Sequence, residues 1–301
     1  MCQVILNADD MGYSPAVNRA ILHAASDGIL TAASLMVNMP YVEEAVKSVR
    51  ESLPHLSLGL HFCLTSGQAV ASAKRISLLI DSQGCFRHGF LGLWRLLNSP
   101  QKNDVIEQIR IEFHAQLERM DHYVREYGLR FDHLDSHQHV HVFTEIFNIL
   151  EGESHKRNVV LRVPREHFGT RKRTFHRFFS WLPSGLVKKW ILDHHLRQRK
   201  QTVGYFGVLD TGKMERQSLI HILETIAHKP AEETFEINIH PSEQGICTSD
   251  SNSCDVKFHR SPWRRREYDA LLNPNLKSIV ERKGIKLIGF SSVITHERSS
   301  N

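Results

Sequence analysis

The chain has 301 residues, 41% of them hydrophobic, with a net charge of +5 and 20 histidines. This composition excludes disordered, collagen-like and coiled-coil chains and leaves enough apolar side chains for one large core. The positive charge favours an anionic partner only weakly. The histidines say more, because neutral imidazole is the commonest metal ligand.

Short β-branched runs alternate with longer stretches of helical periodicity. A strand over Gln3–Ala8 runs into Asp9 and Asp10. Ser14 followed by Pro15 then reads as the cap and first turn of a helix over 15–27, with Gly28 at its end. A strand over Ala33–Val37, a helix over 41–53 and a strand over Leu56–Phe62 follow. A helix over 104–127 ends at Gly128, before a strand over Phe131–Ser136 and a helix over 143–155. The remaining elements are a strand over Val159–Val163, helices over 172–199 and 215–228, a strand over Phe235–Ile239, a helix over 266–283 and a strand over Lys286–Phe290. Seven strands alternating with helices predict an α/β fold with a mostly parallel sheet, closed into a barrel rather than open. The chain reads as one domain over 1–301, with a basic helical insertion at about 170–200 and a long loop at about 241–262.

Five cysteines without CxxC spacing suggest neither a disulfide framework nor a zinc knuckle. The first residues show no basic, apolar and cleavage-site sequence of a leader, and no apolar run approaches membrane-span length. The expected compartment is the reducing cytoplasm. The segment Arg171–Lys200 carries nine Lys and Arg against the single acid Asp193, so the basic character is local. Its plain reading is a helical hairpin with a solvated face. Its sharper reading is a contact for anionic lipid headgroups or an amphiphilic substrate, since Phe178, Trp181 and Trp190 interleave the charges. No nucleic-acid module is recognisable. A homodimer is the commonest assembly for such a chain.

Polar residues collect where strands end. Asp9 and Asp10 together are costly to bury without a cation nearby, although a solvated pair or a helix cap would also explain them. His61 closes the third strand, a position where a packed core histidine is the plainer reading. The run from His133 to His141 is the strongest signal. An extended chain would put His133, Asp135, His137, His139 and His141 on one face, which suits a metal or proton-transfer site and not an apolar core. Arg162 and Arg165 follow the fifth strand, where an arginine orients a carboxylate or pairs with Glu166. His240, before Pro241, ends the sixth. Groups at the carboxyl ends of parallel strands stand where barrel active sites lie.

These motifs resemble a known family. Asn7-Ala8-Asp9-Asp10 with Met11 to Ser14, Thr31 to Asn38, Gly59 to Thr65, and Leu134 to His141 are similar to the YdjC-like carbohydrate deacetylases. That family includes chitooligosaccharide deacetylases and hopanoid-biosynthesis-associated proteins, and Arg162 to Glu166 is similar to the latter branch. The resemblance runs from Val4 to about Ser292; the combined motifs are specific, each alone much less so. Met11 departs from it, standing where the family usually has Phe.

The resemblance implies a distorted (β/α) barrel related to NodB-type polysaccharide deacetylases and acting on an N-acetylated amino sugar. It implies Asp10, His61 and His137 as ligands of one divalent metal ion, Mg or Zn foremost, with Asp9 as general base and His240 as general acid. Thr65, Asp135, His139, His141, Arg162, Arg165 and Glu166 become substrate-binding or supporting residues. The rival readings are a phosphoesterase with a second metal on Asp135, His139 and His141, and a non-catalytic sugar- or lipid-binding protein.

Overall fold

Along the first strand, Val4, Leu6 and Ala8 enter one apolar core, whereas Ile5 enters another and shares its side with Asn7 and Asp9. That alternation is the period of two of an extended chain, and it separates a helix-facing layer from a barrel interior. The computed structural model of the protein describes residues 1–166, 203–208, 211–243 and 256–299.

Among the described residues eight strands form one parallel sheet: β1 (Gln3–Met11), β2 (Ala32–Leu35), β3 (Ser57–Phe62), β4 (Phe131–Ser136), β5 (Val160–Leu161), β6 (Gly204–Phe206), β7 (Thr234–Ile239) and β8 (Lys286–Leu287). Their order is β5-β4-β3-β2-β1-β7-β6, and β8 pairs with β1 at Gln3 and Val4. The helices are α1 (Pro15–Ser26), α2 (Val42–Ser52), α3 (Phe90–Leu97), α4 (Lys102–Tyr127), α5 (Thr144–Arg157), α6 (Arg216–Ala227), α7 (Val256–His259), α8 (Trp263–Leu271), α9 (Pro274–Arg282) and α10 (Phe290–Ser299).

The sheet curls strongly. In a flat sheet the five strand steps from β5 to β7 would separate them by roughly 24 Å. Instead Arg162, just past β5, places Nε 2.8 Å from Glu236 Oε1 on β7. A parallel bridge between Glu166 and Tyr205 joins the β5 side to β6. The expected barrel architecture is therefore present.

The larger core lies between sheet and helices, with Leu6, Leu35, Leu60 and Ile237 among its strand members. A smaller one made of Ile5, Ala32, Val203, Ile288, Phe290 and Val293 forms an apolar floor inside the curl. His133 stacks on Phe290 with ring centroids 4.0 Å apart and marks where the polar interior begins. Gly59, its register partner on β3, has no room for a side chain, since a Cβ there would lie 2.2 Å from His133 Cδ2.

Several local expectations hold. Ser14 caps α1 by accepting from Val17 N, Pro15 follows at the first turn, and Gly128 ends α4 in the left-handed region at φ 62°. Others change. Strand β6 and helix α3 were not expected; three residues are too few for periodicity to register. The helix expected over 266–283 is two, broken where Asn273 caps Pro274 and accepts from Asn275 N. The last strand ends at Leu287, and Phe290 opens α10. The basic segment 171–200 lies outside the described residues, as do 244–255 of the expected long loop, whose far end forms α7. Among the described residues no helix is long and apolar enough to cross a membrane, and Cys2, Cys63 and Cys85 form no disulfide there.

Candidate functional site

The end of β1 resolves how two adjacent carboxylates reach one pocket. Asp10 takes φ 72°, and the pairing of β1 with β2 shifts register between Ala8 and Met11. A left-handed residue interrupts the alternation of strand side chains, and Asp tolerates it better than most because its short polar chain bonds locally. Both carboxylates are buried beside His61 from β3 and His137 from the turn after β4.

Asp10, His61 and His137 bring ligand-type atoms within 4.8 Å of one another. Asp10 Oδ1 is 3.0 Å from His137 Nδ1 and 3.6 Å from His61 Nε2. Neither Asp10 oxygen receives a hydrogen bond of good geometry, so a fully buried carboxylate faces two imidazoles without full satisfaction. One carboxylate oxygen and two ring nitrogens in such an arrangement fit a divalent cation. Asp135 supports this set: its Oδ1 lies 2.6 Å from His61 Nδ1, which fixes the tautomer that leaves Nε2 facing Asp10.

Asp9 is held differently. Its oxygens accept from Asn7 Nδ2 at 2.9 Å, Asn238 Nδ2 at 3.0 Å and both terminal nitrogens of Arg162 at 2.9 and 3.0 Å. Burial opposes ionisation of Asp9, but the Arg162 guanidinium, followed by His61, outweighs it and holds the carboxyl well below the usual range. Asp10 is likewise held low against burial, by Arg264 first and then His137. Arg162 also meets Asp135 at 2.8 Å and Glu236 at 2.6 Å. One guanidinium thus serves three buried carboxyls, and burial pushes Glu236 up to about 7 despite it. His240 stands with Nε2 3.8 Å from Asp9 Oδ2, and burial pushes it down to about 4, against the pull of Asp9 and Asp10.

The extended reading of 133–141 needs correction. The strand stops at Ser136, and Gln138 and His139 are both left-handed, at φ 55° and 57°. His133 and Asp135 face the interior, but His137, His139 and His141 diverge beyond them. His141 has Nδ1 2.5 Å from Ser136 Oγ and Nε2 3.0 Å from the Arg162 carbonyl. Burial holds it down to about 4, so it is a neutral brace. His139 Nε2 sits 3.4 Å from the Tyr205 hydroxyl. The rival set of Asp135, His139 and His141 is not gathered as a second cation site among the described residues.

The other expected residues spread out. Arg162 pairs with Asp9, Asp135 and Glu236, not with Glu166, whose carboxylate accepts from Gly207 N and Val208 N and pins the β5–β6 seam. Arg165 is exposed. Thr65 is buried beyond β3, with its hydroxyl unpaired among the described residues.

Sequence reasoning missed Arg264, His259 and Glu267. Arg264 is fully buried, with Nη1 3.0 Å from Asp10 Oδ2 and 2.5 Å from His259 Nδ1, and Nε 3.0 Å from the His240 carbonyl. His259 stacks on Tyr13 at 3.5 Å. Glu267 accepts from His240 N at 2.6 Å and Met214 N at 2.8 Å. The overlooked signal was helical spacing: Arg264, Glu267, Tyr268 and Leu271 share one face of α8, whereas Arg265 and Arg266 are exposed.

A parallel α/β barrel with a buried Asp and His cluster on its carboxyl rim is the class this fold and site define. The family model described as YdjC-like protein matches residues 3–282, and the chain belongs to that family. A carbohydrate deacetylase of Brevibacillus brevis is 30% identical over 293 residues, covering 97% of this chain and 99% of that protein. A chitooligosaccharide deacetylase of Proteus mirabilis is 36% identical over 162 residues, which is 54% of this chain. That match spans 59% of the Proteus protein, and a match to a carbohydrate deacetylase of Thermoanaerobacter pseudethanolicus spans 60% of its length. A crystal structure from Enterococcus faecalis, of a protein with a provisional cellobiose-phosphate cleavage assignment, shares the fold with TM-score 0.68 over 97% of this chain and 98% of that one, at 23% identity.

Proposed function

We propose that the chain is a cation-dependent hydrolase that removes the acetyl group from an N-acetylated amino sugar. The observation that carries this reading is the meeting of three groups in one buried pocket: the arginine-paired Asp9, the Asp10–His61–His137 cluster, and His240. The names borne by the family relatives supply the substrate class.

Asp10, His61 and His137 would hold one divalent ion, Mg or Zn, which when bound polarises the acetamide carbonyl and makes water more acidic. Asp135 keeps His61 in the ligating tautomer. Asp9, ionised and fixed by Arg162, accepts the proton of the attacking water at Oδ2. The same oxygen lies 3.8 Å from His240 Nε2. His240 starts neutral, so a proton passed from Asp9 makes it the acid that protonates the amine as the C–N bond breaks. The products are acetate and a free amino sugar.

A binding protein has no need of a charge-paired base beside an imidazole acid, which favours the enzyme over the non-catalytic reading. The substrate is an oligosaccharide or a glycolipid, hopanoid-linked in the second case. The basic segment 171–200 would then meet the glycolipid or a membrane surface, in a cytoplasmic homodimer. Comparing acetate release from N-acetylglucosamine oligomers and from glucosaminyl lipids separates these substrates. Asp9→Asn should lower kcat by roughly a hundred-fold or more while leaving cation content unchanged. Full activity in that variant would remove Asp9 from its role.

A further inference from the structure

Two arginines flank the two adjacent carboxylates. Arg162 takes Asp9 from the interior, and Arg264 takes Asp10 from helix α8. Arg264 is a permanent cation, and its position is fixed on several sides. Its Nε donates to the His240 carbonyl, Nη1 meets Asp10 and His259, and the Phe258 ring lies 5.1 Å from its Cζ. Its Nη2 is buried without a hydrogen-bond partner among the described residues, so the charge is spent largely on Asp10. Any cation seated on Asp10 Oδ1 must share that carboxylate with a guanidinium on Oδ2.

We propose that Arg264 sets the divalent-cation affinity of the Asp10–His61–His137 cluster by acting as the resident counter-ion of Asp10. This inference rests on the reading of those three residues as cation ligands. In a water-poor pocket two like-signed charges a few ångströms apart repel strongly. Arg264 therefore keeps the site weak and exchangeable for a divalent ion, and it leaves the charge of a bound ion less neutralised by its own ligand. Its bond to the His240 carbonyl ties the same constraint to the residue opposite Asp9.

The test is calorimetric titration of Zn and of Mg into chelator-stripped full-length protein, with far-UV dichroism as a check of fold. Arg264→Met and Arg264→Gln remove the charge, and Arg264→Lys keeps it. The expected order is cation binding roughly ten-fold tighter or more in Met and Gln, with Lys close to wild type. Binding to Met or Gln where wild type binds nothing also supports the proposal. Equal or weaker binding in Met and Gln, with wild type still binding, overturns it and leaves the ligand reading intact. If no form binds either ion, the proposal falls together with the ligand reading. Should Arg264→Met not fold, the Gln and Lys pair still decides, because a merely structural role would weaken both alike.

Discussion

Arg162 illustrates how one residue supports several others. Its guanidinium holds Asp9 by two parallel bonds and also meets Asp135 and Glu236. A lysine has neither the fork geometry nor the reach to do this. Removing the charge leaves buried carboxylates uncompensated, which typically costs about 3–5 kcal/mol. Arg162→Met should therefore unfold at markedly lower urea, and Arg162→Lys should recover only part of the loss. A wild-type urea midpoint in Arg162→Met would show that the three carboxyls are balanced some other way. His240 was legible because Pro241 ends its strand, but Glu236 and Asn238, four and two residues earlier on the same face, were not singled out. The carboxyls that Arg162 pairs with were not legible either, because the sequence offered Glu166 as an equally good partner.

Strand ends were legible for a physical reason: an apolar run that stops in Asp, His or Arg must leave the core there. This is why β1, β3, β4 and β7 were placed within a few residues. The turn His137–Val142 was not legible, since alternate histidines suit an extended chain and nothing local announces two left-handed residues. Helix α8 was hidden by its Arg264-Arg265-Arg266 run, which reads as a solvated face although its first member is fully buried. At this scale the closest approach at any described glycine is where the β3–β4 register lays His133 across Gly59. A Cβ at 2.2 Å must displace the ring, and overpacking of this kind costs about 1–3 kcal/mol. Gly59→Ala should lose that stability in denaturant titration. The double variant Gly59→Ala/His133→Ala should lose less than the two singles added together; strict additivity would mean the ring moves aside freely.

The described part of the molecule buries several ionisable groups inside its sheet, and this sets its response to pH. His141 and His240 sit at about 4 in the folded protein, below the ordinary 6.5. The unfolded chain therefore takes up two protons that the folded one refuses between those values. The stability they contribute is full above about pH 6.5 and is lost as pH falls toward 4. Glu236 acts in the opposite sense: at about 7 against an ordinary 4.5, its contribution is full below 4.5 and fades as pH rises through 7. Each group changes stability by about 1.4 kcal/mol per pH unit inside its window. Two outweigh one, so the cation-free protein should be most stable near neutrality and lose melting temperature steadily below about pH 6.5. Glu236→Gln should steepen that acid limb, which melting curves across pH will show directly.

The proposed function asks one buried pocket, lined by Asp9, Asp10, His61, His137 and His240, to hold a divalent ion, a base and an acid together. The most direct test is acetate release from N-acetylglucosamine oligomers by chelator-stripped protein, before and after one equivalent of divalent cation is returned. The expected result is no acetate before and restored release after, with His137→Ala unrestored. Equal acetate release with and without the cation would contradict it.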